Sequence, residues 1–309
     1  MPAWRMRRSV MITPGHRPER LAKAVGLAAD SLIFDLEDAV PPARKPEARA
    51  VVVRAVTELS FGRREKAVRL NAIGSVDFAA DMAALPWAQL DAVMLPKVER
   101  AEDLRKLDAA LDAAAPGHDI AVIATLETPR GILNALQIAD ASPRLAAFFL
   151  GPGDYTMQTG GRITPRVLEF PRQMLVAAAG AIGAQALDAP YLVDLRDVAA
   201  TRQDAEAARE LGFSGKVVFH PDQIAPVNDA FTPSADEVAQ ARRYIAAFQE
   251  ASAKGENLAY IEGTFIAMDL VPNMERIVAL AEAASSAASA KADQEARYPP
   301  STCISDPVI

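Results

Sequence analysis

Some of the acidic and basic residues in this 309-residue chain stand where apolar runs end, the positions at which a fold gathers chemistry. Glu127 follows the run Ile120 to Leu126, and Asp154 follows Ala146 to Leu150 through Gly151-Pro152-Gly153. Burying a lone carboxylate is costly unless a cation or hydrogen-bond donors compensate it. Two such acids at the ends of adjacent runs point to a shared divalent metal. Hard oxygen donors, with positions left for water or substrate, favour Mg²⁺ over zinc. The competing reading is that each acid caps a helix or pairs with a cation. Arg69 stands between apolar neighbours within the run AVRLN, and its planar fork suits a carboxylate or an enolate oxygen; the alternative is a structural ion pair with Glu37 or Asp38. Lys97 reads first as a structural partner. The small residues of Gly151-Pro152-Gly153-Asp154 leave backbone amides open to an anion, although Gly and Pro also mark any ordinary turn. His220 reads as a hydrogen-bonded structural group, and His16 and His118 form no metal pair.

The elements that would position these groups are eight short apolar runs. They are Ser9–Gly15, Ser31–Glu37, Ala67–Asn71, Ala92–Lys97, Ile120–Glu127, Ala146–Asp154, Pro190–Leu195 and Lys216–His220. Continuous apolarity in place of alternation predicts parallel strands covered on both faces. Helical segments are expected between them, over Arg17–Leu27, Pro46–Leu59, Val76–Ala84, Ala101–Ala113, Pro129–Ala139, Arg166–Ala184, Val198–Leu211 and Gln223–Ala230. Pro46 and Pro129 suit first helical turns, and Gly183 and Gly212 suit helix stops. Eight βα units favour a closed (β/α)8 TIM barrel over an open sheet, which places the chemistry at the C-terminal strand ends. The barrel is expected over residues 1–232. A C-terminal extension over 233–287, with a helix at Ser234–Ala253, a hairpin near Gly255–Thr264 and a helix at Pro272–Ala287, is expected to serve as lid or oligomerisation element. Residues 288–309 read as a disordered tail.

Composition narrows the function classes. With 50% hydrophobic and 24% charged residues the chain can bury a large core. A net charge of −7, with Arg5, Arg7 and Arg8 the one basic cluster, makes a nucleic-acid surface a poor expectation. No apolar run reaches the roughly 18 residues of a membrane span, and the start lacks a secretory signal. Cys303 is the sole cysteine, so no internal disulfide forms; a cytoplasmic protein is expected.

Taken in order, the motifs resemble the citrate lyase β-subunit-like branch of the HpcH/HpaI aldolase superfamily. The resemblance rests on Arg8-Ser9 leading into Thr13-Pro14-Gly15, Arg17-Pro18-Glu19-Arg20, Phe34 to Val40 (FDLEDAV), Val68-Arg69-Leu70-Asn71, Leu95-Pro96-Lys97-Val98, Leu126-Glu127-Thr128, Gly151 to Asp154 and Phe219 to Ile224 (FHPDQI). It implies a (β/α)8 barrel, a homo-oligomer such as a trimer, and Mg²⁺-dependent carbon–carbon bond chemistry on citryl-, malyl- or citramalyl-type thioesters with a 2-oxo acid product. It assigns the metal to Glu127 and Asp154. The substrate falls to Arg69, Glu127 and the loop Gly151, Pro152, Gly153 and Asp154. Glu37 and Asp38 match an acidic pair that holds metal-bound water or orients Arg69. For relatives that use coenzyme A, Lys23 matches a phosphate-contacting position, with Arg17 and Arg20 assisting.

One motif departs from the family pattern. Where the family's lid carries an aspartate in a sequence like Asp-Gly-x-Met-Ile-Asp, this chain has Glu262-Gly263-Thr264-Phe265-Ile266-Ala267, with Asp269 in an altered register. That aspartate serves malate-synthesising and thioester-hydrolysing relatives, so Ala267 turns the expectation toward a lyase. Two rivals stand beside it: an aldolase for free 2-oxo-4-hydroxy acids without coenzyme A, and a catalytically reduced ligand-binding or accessory subunit.

Overall fold

Eight parallel strands close into one barrel, hydrogen-bonded in chain order with β8 returning to β1. In this computed structural model, which describes residues 3–297, they are β1 (Ser9–Pro14), β2 (Ser31–Asp35), β3 (Glu65–Arg69), β4 (Ala92–Leu95), β5 (Ala121–Leu126), β6 (Leu145–Leu150), β7 (Gln185–Asp188) and β8 (Gly215–Val218). The helices are α1 (Pro18–Ala24), α2 (Lys45–Glu58), α3 (Val76–Ala84), α4 (Ala101–Ala114), α5 (Pro129–Leu133), α6 (Ala135–Ala139), α7 (Pro152–Thr159), α8 (Pro165–Ala181), α9 (Val198–Leu211) and α10 (Ile224–Phe231). The (β/α)8 expectation holds. Pro46 and Pro129 sit in first helical turns, and Gly183 and Gly212 take positive φ at helix ends.

Strand parity sorts the core into two layers. Val10, Ile12, Ile33, Ala67, Met94, Ile123, Phe149, Leu187 and Val217 form the cluster inside the barrel. Their chain neighbours, among them Leu32, Phe34, Val68, Val93, Val122 and Phe148, pack outward in the larger cluster shared with the helices. Both faces are therefore apolar, which is why the strands read as continuous runs. Below the inner cluster, Arg7 donates to Glu65 (2.7 and 2.5 Å) and to Gln185 (2.5 Å), all three buried. Above it, the same parity brings Asp35 and Arg69 side by side as registered partners of β2 and β3.

Four local expectations need correction. The seventh strand is Gln185–Asp188, not Pro190–Leu195. Its polar ends disguise it: Asp188 is fully buried because Arg172 (2.9 Å) and Lys216 (2.5 Å) compensate its charge, while the apolar Leu192 and Val193 lie exposed. Residues 152–159 form helix α7 directly after β6, so Asp154 belongs to a first helical turn and not to a loop. The helix expected over Pro129–Ala139 breaks at Asn134, whose side chain donates to the Glu99 carbonyl (2.8 Å). The final helix continues past residue 287 to Arg297.

The chain divides after Phe231 into two compact units. The second contains α11 (Ala235–Ala253), the antiparallel hairpin β9 (Leu258–Ile261) and β10 (Thr264–Ala267), and α12 (Val271–Arg297). Its own core is Tyr244, Phe248, Ala251, Ala259 and Ile266. The hairpin turns through Glu262 (φ 52°) and Gly263 (φ 77°), the left-handed pair that a two-residue hairpin requires. Ala267 ends β10, and Asp269 lies in the following 3-10 turn. Of the expected tail, residues 288–297 fall within α12, and residues 298–309, with Cys303, lie outside the described residues.

Candidate active site

Arg69 points along the barrel interior from the last position of β3, and Asp35, the last of β2, takes two of its donors: Nε donates to Oδ1 (2.7 Å) and Nη2 to Oδ2 (2.6 Å). Asp35 is fully buried and also accepts the backbone N–H groups of Glu37 (2.8 Å) and Ala39 (3.1 Å). One carboxylate therefore fixes both the guanidinium and the turn that presents Glu37. Burial alone would lower the Arg69 pKa, but the Asp35 charge and hydrogen bonds reverse this and raise it, so Arg69 stays cationic. Its Nη1 lies 3.4 Å from Glu37 Oε2.

Glu37 is buried between two cations, with Lys97 Nζ donating to Oε1 at 2.7 Å. Desolvation nevertheless raises its pKa, against the pull of Arg69 and Lys97. Lys45 reaches back from α2 to the carbonyls of Leu36 (2.9 Å) and Glu37 (3.1 Å) and to the Asn71 side chain, pinning the β2 and β3 turns together. Asp38, more exposed, lies 3.4 Å from Lys97 Nζ.

Glu127 leaves the end of β5 only 5% exposed. Its Oε1 accepts the Lys97 backbone N–H at 2.7 Å. Burial, then the charge of Glu37, push its pKa up to about 7, with the Lys97 N–H and Arg69 opposing. Gly151 makes room for this carboxylate: a Cβ there would stand 2.5 Å from Glu127 Cβ and 2.6 Å from Oε2. Asp154 faces the same cluster, with Oδ2 3.8 Å from Lys97 Nζ and a charge that also raises the Glu127 pKa.

The donor set fits a hard divalent cation. It is oxygen only, with Glu127 Oε1 engaged by the Lys97 N–H and Oε2 packed against Gly151, where no side chain intrudes. Among the described residues no group of three or more His, Cys, Asp and Glu gathers for a metal, so two carboxylates would leave the remaining positions to water or substrate. Burial raises the pKa values of Glu37 and Glu127, and the charges of Asp38 beside the first and of Glu37 and Asp154 beside the second add to the rise.

Of the site residues named from sequence, Arg69, Glu37, Asp38, Glu127, Gly151 and Asp154 come together at one mouth, with two qualifications. The partner of Arg69 is chiefly Asp35, which sequence reading passed over; its signal was parity, since Asp35 lies two residues after the inward Ile33 of β2. Lys97 contacts three of the acids, a larger part than a structural partner was expected to play. Arg17, Arg20 and Lys23 stand exposed at and along α1, after the C-terminal end of β1. His220 caps the 3-10 turn Pro221–Gln223, its Nδ1 accepting the Asp222 N–H at 3.3 Å.

A closed eight-strand parallel barrel with Arg69, Glu37 and Glu127 buried together at the C-terminal strand ends places the chain among barrel enzymes, whose chemistry sits at that end. The chain belongs to the HpcH/HpaI aldolase/citrate lyase family, whose profile matches residues 8–221. It is 37% identical over 278 residues to a (3S)-malyl-CoA thioesterase of Cereibacter sphaeroides, covering 89% of this chain and 95% of that one. It is 33% identical to the citrate lyase subunit beta of Leuconostoc mesenteroides subsp. cremoris, with coverage of 90% and 94%. Among solved structures, protein CitE from Mycobacterium tuberculosis in complex with magnesium, acetoacetate and coenzyme A superposes with a TM-score of 0.71 at 34% identity, covering 90% of this chain and 98% of that chain.

Proposed function

We propose that this protein is a Mg²⁺-dependent carbon–carbon lyase that cleaves a citryl-, malyl- or citramalyl-type thioester into a 2-oxo acid and an acyl thioester. The observation that carries the reading is the convergence of Arg69, Glu37, Glu127 and Asp154 on one buried mouth. The relatives support it by their own chemistry: a citrate lyase subunit beta, a human citramalyl-CoA lyase and a CitE that holds magnesium with coenzyme A.

Glu127 and Asp154 would hold the metal. When bound, Mg²⁺ supplies Lewis-acid polarisation of the 2-oxo acid's oxygens. Arg69, oriented by Asp35, binds the carboxylate of the departing 2-oxo acid and stabilises charge that develops on oxygen. Glu37, with Asp38 at its rim, accepts the proton of the β-hydroxyl. As that proton leaves, the hydroxyl carbon becomes the carbonyl of the 2-oxo acid. The electrons of the broken carbon–carbon bond pass to the acyl fragment as an enolate, which takes up a proton to give the acyl thioester. The backbone N–H groups of Gly153 and Asp154, in the first turn of α7, are the donors left for the substrate's anionic end, since Pro152 has none and the Gly151 N–H donates to the Leu126 carbonyl (3.2 Å). Arg17, Arg20 and Lys23 meet the nucleotide phosphates of coenzyme A.

Ala267 favours lyase over hydrolysis, since it supplies no carboxylate at the lid position named above. We further read the chain as a cytoplasmic homo-oligomer. No described helix is long and apolar enough to cross a membrane, and Leu133, Leu136, Met157 and Phe170 on the mutually packed α5 to α8 present exposed apolar side chains.

The test is turnover of malyl-, citramalyl- and citryl-coenzyme A with and without Mg²⁺, scored for 2-oxo acid release. Metal-dependent release that Arg69→Ala abolishes is the expected result. Free coenzyme A without 2-oxo acid would make it a thioesterase, turnover of the free acids alone a coenzyme-A-independent aldolase, and no turnover an accessory subunit.

A further inference from the structure

Lys97 does two things at the mouth that no role above uses. Its backbone is left-handed (φ 55°), a conformation that side-chain-bearing residues rarely adopt. In this conformation its N–H reaches Glu127 Oε1 (2.7 Å), after β5, while its side chain reaches back past β3 to the turn after β2, where Nζ donates to Glu37 Oε1 (2.7 Å). The same ammonium lies 3.4 Å from Asp38 and 3.8 Å from Asp154, and the side chain is 37% exposed to the mouth. The acids at this mouth are Asp35, Glu37, Asp38, Glu127 and Asp154. Of the facing cations, Arg69 is engaged chiefly by Asp35, and Lys45 by the carbonyls of Leu36 and Glu37 and by Asn71. The ammonium of Lys97 is what balances the rest.

We propose that Lys97 is a positioning residue whose ammonium is the resident counter-ion of the acid cluster, holding the site together before a divalent cation arrives and opposing that cation until it leaves Asp154. The proposal rests on the assignment of Glu127 and Asp154 to Mg²⁺. Its two halves separate by chemistry. The backbone N–H orients Glu127 whatever the side chain is, whereas the charge competes with the metal. Substitutions that keep the backbone and remove the charge therefore tighten metal binding. A purely structural role for the side chain predicts unchanged or weaker binding.

The experiment is calorimetric titration of Mg²⁺ into the full chain without substrate, for wild type, Lys97→Gly, Lys97→Met, Lys97→Arg and Glu127→Gln. Glycine adopts the left-handed backbone freely, so Lys97→Gly guards against misfolding of the methionine variant. Both neutral variants are expected to bind Mg²⁺ roughly tenfold more tightly, a gain that shrinks at high salt, and Lys97→Arg is expected to stay close to wild type. Folded Lys97→Gly and Lys97→Met proteins with wild-type or weaker Mg²⁺ affinity would overturn the proposal alone. Wild-type affinity retained in Glu127→Gln, or no Mg²⁺ binding by wild type, would remove the metal assignment and the proposal with it.

Discussion

Gly151→Ala is the sharpest single perturbation of this site, because the glycine has no backbone reason to be there. Its φ of −89° and ψ of 103° suit any residue, so the substitution brings no conformational strain. By the unfolded-state argument alone it would stabilise the protein by about 0.4–1 kcal/mol. Space decides otherwise. The added Cβ would stand 2.5 Å from Glu127 Cβ and 2.6 Å from Oε2, against about 3.5–4.0 Å for ordinary carbon contacts. Glu127 cannot swing away without losing the 2.7 Å bond from the Lys97 N–H. Overpacking of this kind costs about 1–3 kcal/mol, which outweighs the backbone gain. The melting temperature is then expected to fall by a few degrees, at about 2–4 °C per kcal/mol for a unit of this size. Mg²⁺ affinity is expected to fall at least about tenfold, because the methyl group displaces the Glu127 carboxylate from its present position. Differential scanning calorimetry and Mg²⁺ titration read the two effects. Gly153→Ala, where a Cβ meets nothing within 4 Å, serves as the steric control for both. A Gly151→Ala protein that melts and binds Mg²⁺ like wild type would refute the claim that this position exists to admit the Glu127 carboxylate.

Three further outcomes follow from the same geometry. Asp35→Asn keeps the shape but removes the charge that orients Arg69; a loss of about 3–5 kcal/mol in stability and at least about a hundredfold in kcat is expected, by urea unfolding and steady-state kinetics, and a fully active variant would deny Asp35 its role. Because the folded pKa of Glu127 is raised to about 7, its contribution to the stability of the metal-free protein is fully present below the ordinary glutamate value and lost as pH rises through 7. Mg²⁺ requires the ionised carboxylate, so it is expected to raise the melting temperature more at pH 8 than at pH 5.5, and an equal rise at both would contradict the assignment. Neutralising Arg17, Arg20 and Lys23 together is expected to raise KM for the coenzyme A thioester about tenfold or more with kcat nearly unchanged; an unaltered KM would move the nucleotide elsewhere.

Much of this protein was legible from residue order because barrel strands, apolar on both faces, stand out as short runs, and because βα units place chemistry at run ends. Seven of the eight runs overlap observed strands. The seventh failed for a reason that no local pattern contains: Gln185 and Asp188 are buried polar residues whose partners, Arg7, Arg172 and Lys216, come from distant parts of the chain. Helix α7 was hidden likewise, because Gly151-Pro152-Gly153 reads as a turn and only the packing after β6 makes Pro152 a first helical residue.

Residue types and run lengths by themselves pointed to eight βα units and to Arg69, Glu127 and Asp154 as candidates, since short continuous apolar runs are a property of the local chain, whereas Glu37 and Asp38 became candidates through the family resemblance. Only the tertiary structure decided which acid holds Arg69, why residue 151 must be glycine, and that Lys97 spans the mouth from Glu127 to Glu37. Those outcomes depend on side chains from strands far apart in sequence meeting within a few ångströms in a poorly solvated space, where a single added methyl or missing charge changes the balance.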